Sequence, residues 1–348
     1  MTLPDEMQAI DIAGPGGGPE VLTPTRALLP LPRADEVLIR VAAAGVNYPD
    51  VLQRKGHYDP PPGHSPRPGL EVAGEIVALG EAVEGLAKGQ RVLALCNGGG
   101  YAGYVAVPHG QVLPIPSGVD IAWAGAIAET WFTIEQTLIQ RTALAPGMNV
   151  LVHGAAGGIG TAALSLSRIG KARPIAVVST REKADYVRGT LGVPDVIVHG
   201  EEDFSASALA LTDGRGVDRI VSFAGGDMLA RNLTAAARDA VIIQLASLSG
   251  SKAELPLPQL LAKQLTLIGS TLRPQSSTRK AQIAQGLLAG AWPAFAAGNV
   301  ARPHIETLPL GEAAMAHARL EDRRFFGKLV LLTAFGEGLV NDNFVAKP

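Results

Sequence analysis

The chain has 348 residues, 47% of them apolar, enough to bury a core in each of two domains. Lys plus Arg number 30 and Asp plus Glu 32, a net charge of −2 with no block of like charges, which argues against a polyanion-binding surface. The N-terminus MTLPDEMQAI lacks a basic-then-apolar leader pattern, no apolar run approaches the roughly 18 residues of a membrane helix, and the single cysteine, Cys96, excludes an internal disulfide or a site of several thiolates. We therefore expect a cytoplasmic protein with neither nucleic-acid nor membrane partners, and Cys96 as a small buried residue.

From Glu36 to Pro108 short β-branched or alternating runs dominate: EVLIRVAAAGV, EVAGEIVALG, QRVLALC and YAGYVAVP, punctuated by Gly and Pro. The clusters GPGGGPE and YDPPPGHSPRPG read as loops over this first region. From Asn149 the pattern changes to strands recurring at twenty-odd residues with helical segments between them: NVLVH, PIAVVS, DVIVH, DRIVSF, AVIIQLA and LTLIGS. Such alternation predicts an α/β fold with a doubly wound, parallel, six-stranded sheet and right-handed crossovers. The helical stretch TRKAQIAQGLLAGA and the apolar run KLVLL are expected to return to the first domain, and the tail GEGLVNDNFVAKP to fray. The expected domains are residues 1–128, 129–271 and a returning 272–348.

The stretch NVLVHGAAGGIGTAALSLSRIG reads as strand, glycine turn and helix, the shape of a dinucleotide-binding motif. At the three glycine positions of that motif stand Ala155, Gly157 and Gly160. Gly157 and Gly158 leave no side chain between backbone and ligand, Gly160 lets the helix sit close on the strand, and Ile159 lies among the helix-terminal N–H groups that would face a pyrophosphate. Ala162, Ala163, Leu166 and Ile169 form one apolar helix face. About 20 residues further on, an acidic residue should bind the ribose of NAD. The second strand ends instead in Ser179, followed by Thr180, Arg181 and Lys183. A carboxylate there would repel a 2′-phosphate, whereas hydroxyls, a guanidinium and an ammonium suit it. NADPH is the expected cofactor. Arg181 and Lys183 can equally be solvated charges on a helix with Glu182 between them, a reading that weighs more on Arg181.

Several segments together carry a family resemblance: GVNYPDVLQRKGHYDPPPGHSPRPGLEVAGEIVALG, AGAIAETWFTIEQTLI, HGAAGGIGTAA, SKAELPLPQLLAKQLTLIGSTLRPQS and FFGKLVL. The chain resembles the zinc-independent medium-chain dehydrogenase/reductases of the NADPH:quinone oxidoreductase group, near the p53-inducible quinone reductase branch. The resemblance implies a GroES-like β-barrel catalytic domain, a Rossmann domain, a cleft between them, and a homodimer joined at the sheet edge, with LTLIGST as the edge strand. Where zinc-bearing relatives place a thiolate, a histidine and a thiolate, this chain has Asn47, Leu70 and Glu129, and no metal is expected. His57, His64 and His109 are read as solvent-facing or pocket-edge residues.

The same resemblance puts Asn47, Tyr48 and Tyr58 along the nicotinamide and acceptor pocket, with Thr133 near the carboxamide. Phe223, Leu245, Ala246 and Ser247 fall at strand ends, Thr271, Leu272 and Arg273 after the last strand, and Gly327 with Lys328 closes the far side. His199 stands where several quinone reductases have a tyrosine at the 2′-phosphate end. The implied activity is hydride transfer from NADPH to a quinone or another conjugated carbonyl. The alternatives are an enone or enoyl-thioester reductase with Tyr58 as proton donor, and a protein that holds NADPH without turnover. Tyr58 can also be a loop aromatic packed on PPPG.

Overall fold

The computed structural model describes residues 3–14 and 16–341. The chain divides into two compact units. One runs through the described residues to Phe132 and takes in Arg273–Asn299 and the described residues from His304; the other comprises Thr133–Leu272 and Val300–Pro303. The expected junctions after residues 128 and 271 thus lie four residues and one residue short of the division, and the excursion at 300–303 has no counterpart in the sequence reading.

In the first unit, strands β1 (Glu6–Ile12) and β2 (Leu22–Leu28) pair antiparallel. The sequence reading missed both, because Pro24 and the polar residues of β2 obscure the strand pattern. Proline is tolerated in such a two-stranded ribbon, where an N–H can face outward. Next come β3 (Glu36–Val46), β4 (Glu71–Leu79), β5 (Arg91–Leu95), β6 (Tyr104–Pro108) and β7 (Val112–Pro114). Alternate residues Val37, Ile39 and Val41 of β3, Val72 and Ile76 of β4, Val92 and Ala94 of β5, and Val105 and Val107 of β6 share one core with Cys96, which is buried as expected. A period of two with one face inward is what an antiparallel sheet requires.

The second unit holds β8 (Asn149–His153), β9 (Arg173–Val178), β10 (Val196–Val198), β11 (Val217–Ser222), β12 (Ala236–Gln244) and β13 (Thr266–Gly269), all parallel in the order β10-β9-β8-β11-β12-β13. This is the strand order of a dinucleotide-binding sheet, third-second-first-fourth-fifth-sixth. Every residue of β8 is buried because both faces of the sheet are covered, which is why its sequence is a continuous apolar run. Leu151, Ile175, Val177, Ile197, Ile220 and Ile242 form the core on one face. β13 is the edge strand, as the sequence suggested.

The helix Ser277–Gly290, β14 (Ile305–Pro309) and β15 (Lys328–Leu332) belong to the first unit; β15 pairs antiparallel with β3 and parallel with β14. The seven-stranded sheet therefore runs β14-β15-β3-β4-β5-β7, with β6 also on β3. Of the tail expected to fray, the residues described up to Asn341 close the helix Ala334–Asn341, whose start is held by Gly336 N–H on Thr333 Oγ1 at 3.2 Å. Residues 342–348 of that tail, and Pro15 of GPGGGPE, lie outside the described residues. Among the described residues no helix is long and apolar enough to cross a membrane.

Candidate active site

In the second unit, β8 leads through Gly154–Gly157 into the helix Gly158–Ile169, with Gly157 as its extended N-cap. Gly154 turns the chain at φ +53°, and a Cβ there would lie 2.1 Å from Phe223 Cζ, so the predicted Phe223 packs directly on the turn. A Cβ on Gly160 would lie 2.5 Å from Ala155 Cα, which fixes how closely helix and strand approach. Ala155 is fully buried, and its N–H donates to Val177 O at 3.2 Å, which anchors the turn to the sheet. The N–H groups of Gly158, Ile159 and Gly160 form the first helical turn, which has no intrahelical acceptors and favours an anion.

β9 ends at Val178, leaving Ser179 and Thr180 exposed. Thr180 caps the helix Arg181–Gly189, and its hydroxyl accepts from Lys183 N–H at 3.3 Å. The Arg181 Nε donates to both carboxylate oxygens of Glu201, at 2.8 and 2.9 Å, a partner the sequence pattern did not single out. This pair is largely exposed and therefore weak. His199 is exposed; its N–H donates to Val178 O at 3.0 Å, which keeps it beside the same strand end. On the other side of the sheet, Leu245 N–H donates to Ser222 O at 2.8 Å and Leu248 N–H to Phe223 O at 3.0 Å, aligning Phe223 with half-buried Leu245 and Ala246 and exposed Ser247. Thr133 is half-buried, Thr271 exposed and Leu272 buried. His153, at the end of β8, is kept neutral: burial pushes its pKa down to about 4, and its Nε2 lies 2.7 Å from Asn232 Oδ1.

The first unit concentrates its buried charges at the end of β3. β4 and β15 both run antiparallel to β3, with Val72 opposite Ala44 and Leu329 opposite Val46, so Glu71 and Lys328 arrive together beside Asn47. Asn47 Nδ2 donates to Glu71 Oε1 at 2.7 Å; Lys328 Nζ donates to Asn47 Oδ1 at 2.7 Å and to Glu71 Oε1 at 2.6 Å. Glu129 N–H donates to Glu71 Oε2 at 2.8 Å. Gly45 makes room for the carboxylate, since a Cβ there would lie 2.1 Å from Glu71 Oε1. Lys328, expected at the cofactor's far side, is thus bound within the Asn47 group. Gly327 before it has φ +87° and passes so close to His304 O that a Cβ would lie 2.2 Å away.

A second network holds this arrangement from behind. Asn47 N–H and Gly69 N–H donate to Asp50 Oδ2 and Oδ1, each at 2.9 Å, and Tyr101 Oη donates to Asp50 Oδ2 at 3.3 Å. Tyr101 Oη lies 3.1 Å from His317 Nε2, and His317 Nδ1 3.4 Å from Arg54 Nη1. Because Arg54 is a donor only, His317 accepts at Nδ1 and carries its proton on Nε2. Burial, reinforced by Arg54, pushes the His317 pKa down to about 3, so the ring stays neutral. Arg54 is itself fully buried and bonded to Glu321 Oε2 at 2.8 Å. Asn47 and Asp50 have the N-cap and N3 spacing of a helix start, a signal the sequence does carry. Tyr101 and His317 have none, because 216 residues separate them.

Tyr48, the first residue of the helix Tyr48–Arg54, is exposed; Tyr58 is half-buried. The guanidinium of Arg273 lies 5.3 Å from the Tyr58 ring centroid and donates to Tyr58 O at 3.0 Å and twice to Asn97 O at 2.7 and 3.0 Å. Arg273, expected among cofactor ligands, is therefore buried and committed to main-chain carbonyls. Burial, with the Glu129 charge next in weight, pushes the Tyr58 hydroxyl up to about 12. Burial and then the neighbouring Glu71 and Asp50 push Glu129 up to about 8, and burial pushes Asp50 up to about 6. Tyr58 and Glu129 are both protonated at neutral pH. His57 is exposed, His64 lines a cavity of about 230 Å³ beside Asn97, and the half-buried His109 bonds Asp35 O through its ring at 2.9 Å. Among the described residues no three His, Cys, Asp or Glu side chains are grouped to hold a metal ion.

Residues 33–117 match the alcohol dehydrogenase GroES-like domain family and residues 158–285 the zinc-binding dehydrogenase family. The quinone oxidoreductase of Lama guanicoe is 32% identical over 326 residues, 91% of this chain and 94% of that protein. Among solved structures, the quinone oxidoreductase of Pseudomonas syringae pv. Tomato DC3000 superposes with a TM-score of 0.81 at 27% identity, covering 94% of this chain and 99% of that one. A mycobacterial protein complexed with NADPH superposes with a TM-score of 0.80 at 27% identity over the same shares. The chain belongs to the quinone oxidoreductase family of medium-chain dehydrogenase/reductases, with a GroES-like domain and a Rossmann-type sheet, and is an oxidoreductase using a nicotinamide cofactor.

Proposed function

We propose that the protein is an NADPH-dependent reductase that delivers hydride from nicotinamide C4 to a quinone or a related conjugated carbonyl, without a metal. The observation that carries the metal-free reading is the Lys328 ammonium, which lies 2.7 Å from Asn47 Oδ1 and 2.6 Å from Glu71 Oε1. A cation already occupies the group in which zinc would need anionic or imidazole ligands, and the neighbouring positions offer an amide, the Leu70 side chain and a protonated Glu129. Zinc does not fit this donor set. A quinone accepts hydride without a Lewis acid.

The glycine turn does suit a dinucleotide. Gly157, Gly158 and Gly160 keep side chains away from the first-turn N–H groups, which would receive the pyrophosphate. Ser179, Thr180, Lys183 and His199 would receive a 2′-phosphate, with Arg181 joining if it leaves Glu201. When bound, the nicotinamide supplies the hydride; the chain orients the acceptor and excludes water. We also read β13, whose residues Thr266, Leu267 and Gly269 are exposed, as the contact of a homodimer. The deciding assay is NADPH and NADH oxidation over a panel of quinones and enones, with and without chelator. We expect quinone-dependent NADPH oxidation that survives chelation. NADH preferred over NADPH, or activity lost on chelation, overturns the reading.

A further inference from the structure

We propose that Lys328 and Asn47 form an oxyanion-binding pair in which the ammonium of Lys328 holds the oxygen of the acceptor while charge develops on it. The inference rests on the reductase reading and names the group that activates the acceptor. Its basis is an account of hydrogen-bond capacity. Glu71 is fully buried and its carboxylate accepts three hydrogen bonds: Oε1 accepts from Asn47 Nδ2 and Lys328 Nζ, and Oε2 accepts from Glu129 N–H. Lys328 is not saturated. An ammonium has three N–H donors and no acceptor, and Asn47 Oδ1 and Glu71 Oε1 take two of them. The amide orientation of Asn47 is fixed by its partners, because Lys328 can only donate and the Glu71 carboxylate can only accept. One N–H of Asn47 is then spent on Glu71, and the second is left over. Among the described residues, two donors on adjacent side chains, one of them charged, are thus left to receive an acceptor.

The surroundings favour an anion there. Glu71 neutralises Lys328, Glu129 stands protonated beside them and adds no negative charge at neutral pH, and the site is nearly sealed from water, with the Lys328 side chain 5% exposed. Fixed donors in a dry site stabilise a developing oxyanion far better than water does. The step balances as follows. The acceptor gains hydride at the carbon end of its conjugated system: a C–H bond forms as the donor's C4–H bond breaks, and the π electrons shift onto oxygen as an enolate facing Lys328. The nicotinamide is oxidised by the same two electrons. A quinone-derived enolate then takes a proton from water on oxygen and becomes the hydroquinone as the carbon that received hydride loses a proton and the second carbonyl oxygen gains one; an enone-derived enolate takes its proton at carbon. Asn47 and Glu71 aim the ammonium and do not exchange protons.

The test reads the oxyanion site without turnover. 4-Nitrophenol is titrated by absorbance across pH in the presence of excess full-length protein. The wild type should bind it saturably and lower its apparent pKa, and Lys328→Met and Lys328→Gln should abolish the shift while melting cooperatively. In steady-state assays the same variants should lose about 10²-fold or more in kcat for quinone, the scale of one oxyanion donor, with KM for NADPH within about twofold of wild type. Should neither variant fold, the wild-type titration alone decides: an unshifted or unsaturable nitrophenol overturns the proposal. A wild type that reduces quinones but leaves nitrophenol unshifted refutes the oxyanion pair and spares the reductase reading. One that shifts nitrophenol yet never oxidises NADPH refutes the reductase reading and spares the pair.

Discussion

Lys328 Nζ and Glu71 Oε1 lie 2.6 Å apart although 257 residues separate them, and the contact exists because β15 and β4 both meet β3 at its end. A buried pair of this kind is costly to break from one side, since the remaining charge is left without a partner. The arrangement therefore couples the C-terminal segment to the first unit's site, and several outcomes can be measured.

Tyr58→Phe separates the two kinds of acceptor. The Tyr58 hydroxyl is held protonated, so it can donate a proton to an enone carbon, and its loss should lower kcat by about 10² for enones, the scale of general-acid catalysis. For quinones kcat should change less than about threefold. Equal and severe losses with both substrates would show that quinone reduction also needs this proton.

Glu129→Gln should flatten the alkaline loss of stability. Its carboxyl sits at about 8 in the native protein against 4.5 for an ordinary glutamate, so between those values the folded state holds a proton that the unfolded state has released. That contribution is complete below pH 4.5 and is lost as pH rises through 8. Melting temperatures measured from pH 5 to pH 9 should fall more steeply for wild type than for the variant. Parallel curves would mean that Glu129 is ionised in the native state.

The 2′-phosphate site is tested by three variants in fluorescence titrations at fixed ionic strength. Lys183→Ala should raise the NADPH dissociation constant about tenfold to a hundredfold, from a charge-assisted contact of roughly 1.5–3 kcal/mol, while NADH changes little. Ser179→Asp should shift preference toward NADH. Glu201→Gln should strengthen NADPH binding by releasing Arg181 from its exposed ion pair. If Lys183→Ala weakens both cofactors equally, the strand end does not bind the phosphate.

His317→Phe should destabilise the first unit without altering cofactor choice. It strips Tyr101 Oη and Arg54 Nη1 of a buried partner, a loss of about 1–3 kcal/mol. For a unit of about 200 residues that is roughly 2–4 °C in melting temperature per kcal/mol. KM for the acceptor should rise more than KM for NADPH, because Asp50 holds the Asn47 N–H at 2.9 Å. Unchanged melting would mean that Tyr101 finds another partner.

The six parallel strands were legible because a sheet covered on both faces writes itself as short apolar runs, and NVLVH coincides with β8 residue for residue. The glycine turn and the carboxylate-free end of β9 were legible for a similar reason: they are local, set by residues within one βαβ unit. Sequence also nominated Asn47 and Tyr58, through family resemblance. What it could not decide was partnership. Arg181 bonds Glu201, Arg273 is tied to Asn97 and Tyr58 carbonyls, Lys328 joins Asn47 and Glu71, and His317 supports Tyr101. Apart from the Arg181–Glu201 pair, 20 residues apart, each of these contacts joins distant parts of the chain through sheet register or loop packing. A buried charge is defined by the partner that folding brings to it, and neither periodicity nor spacing records that partner.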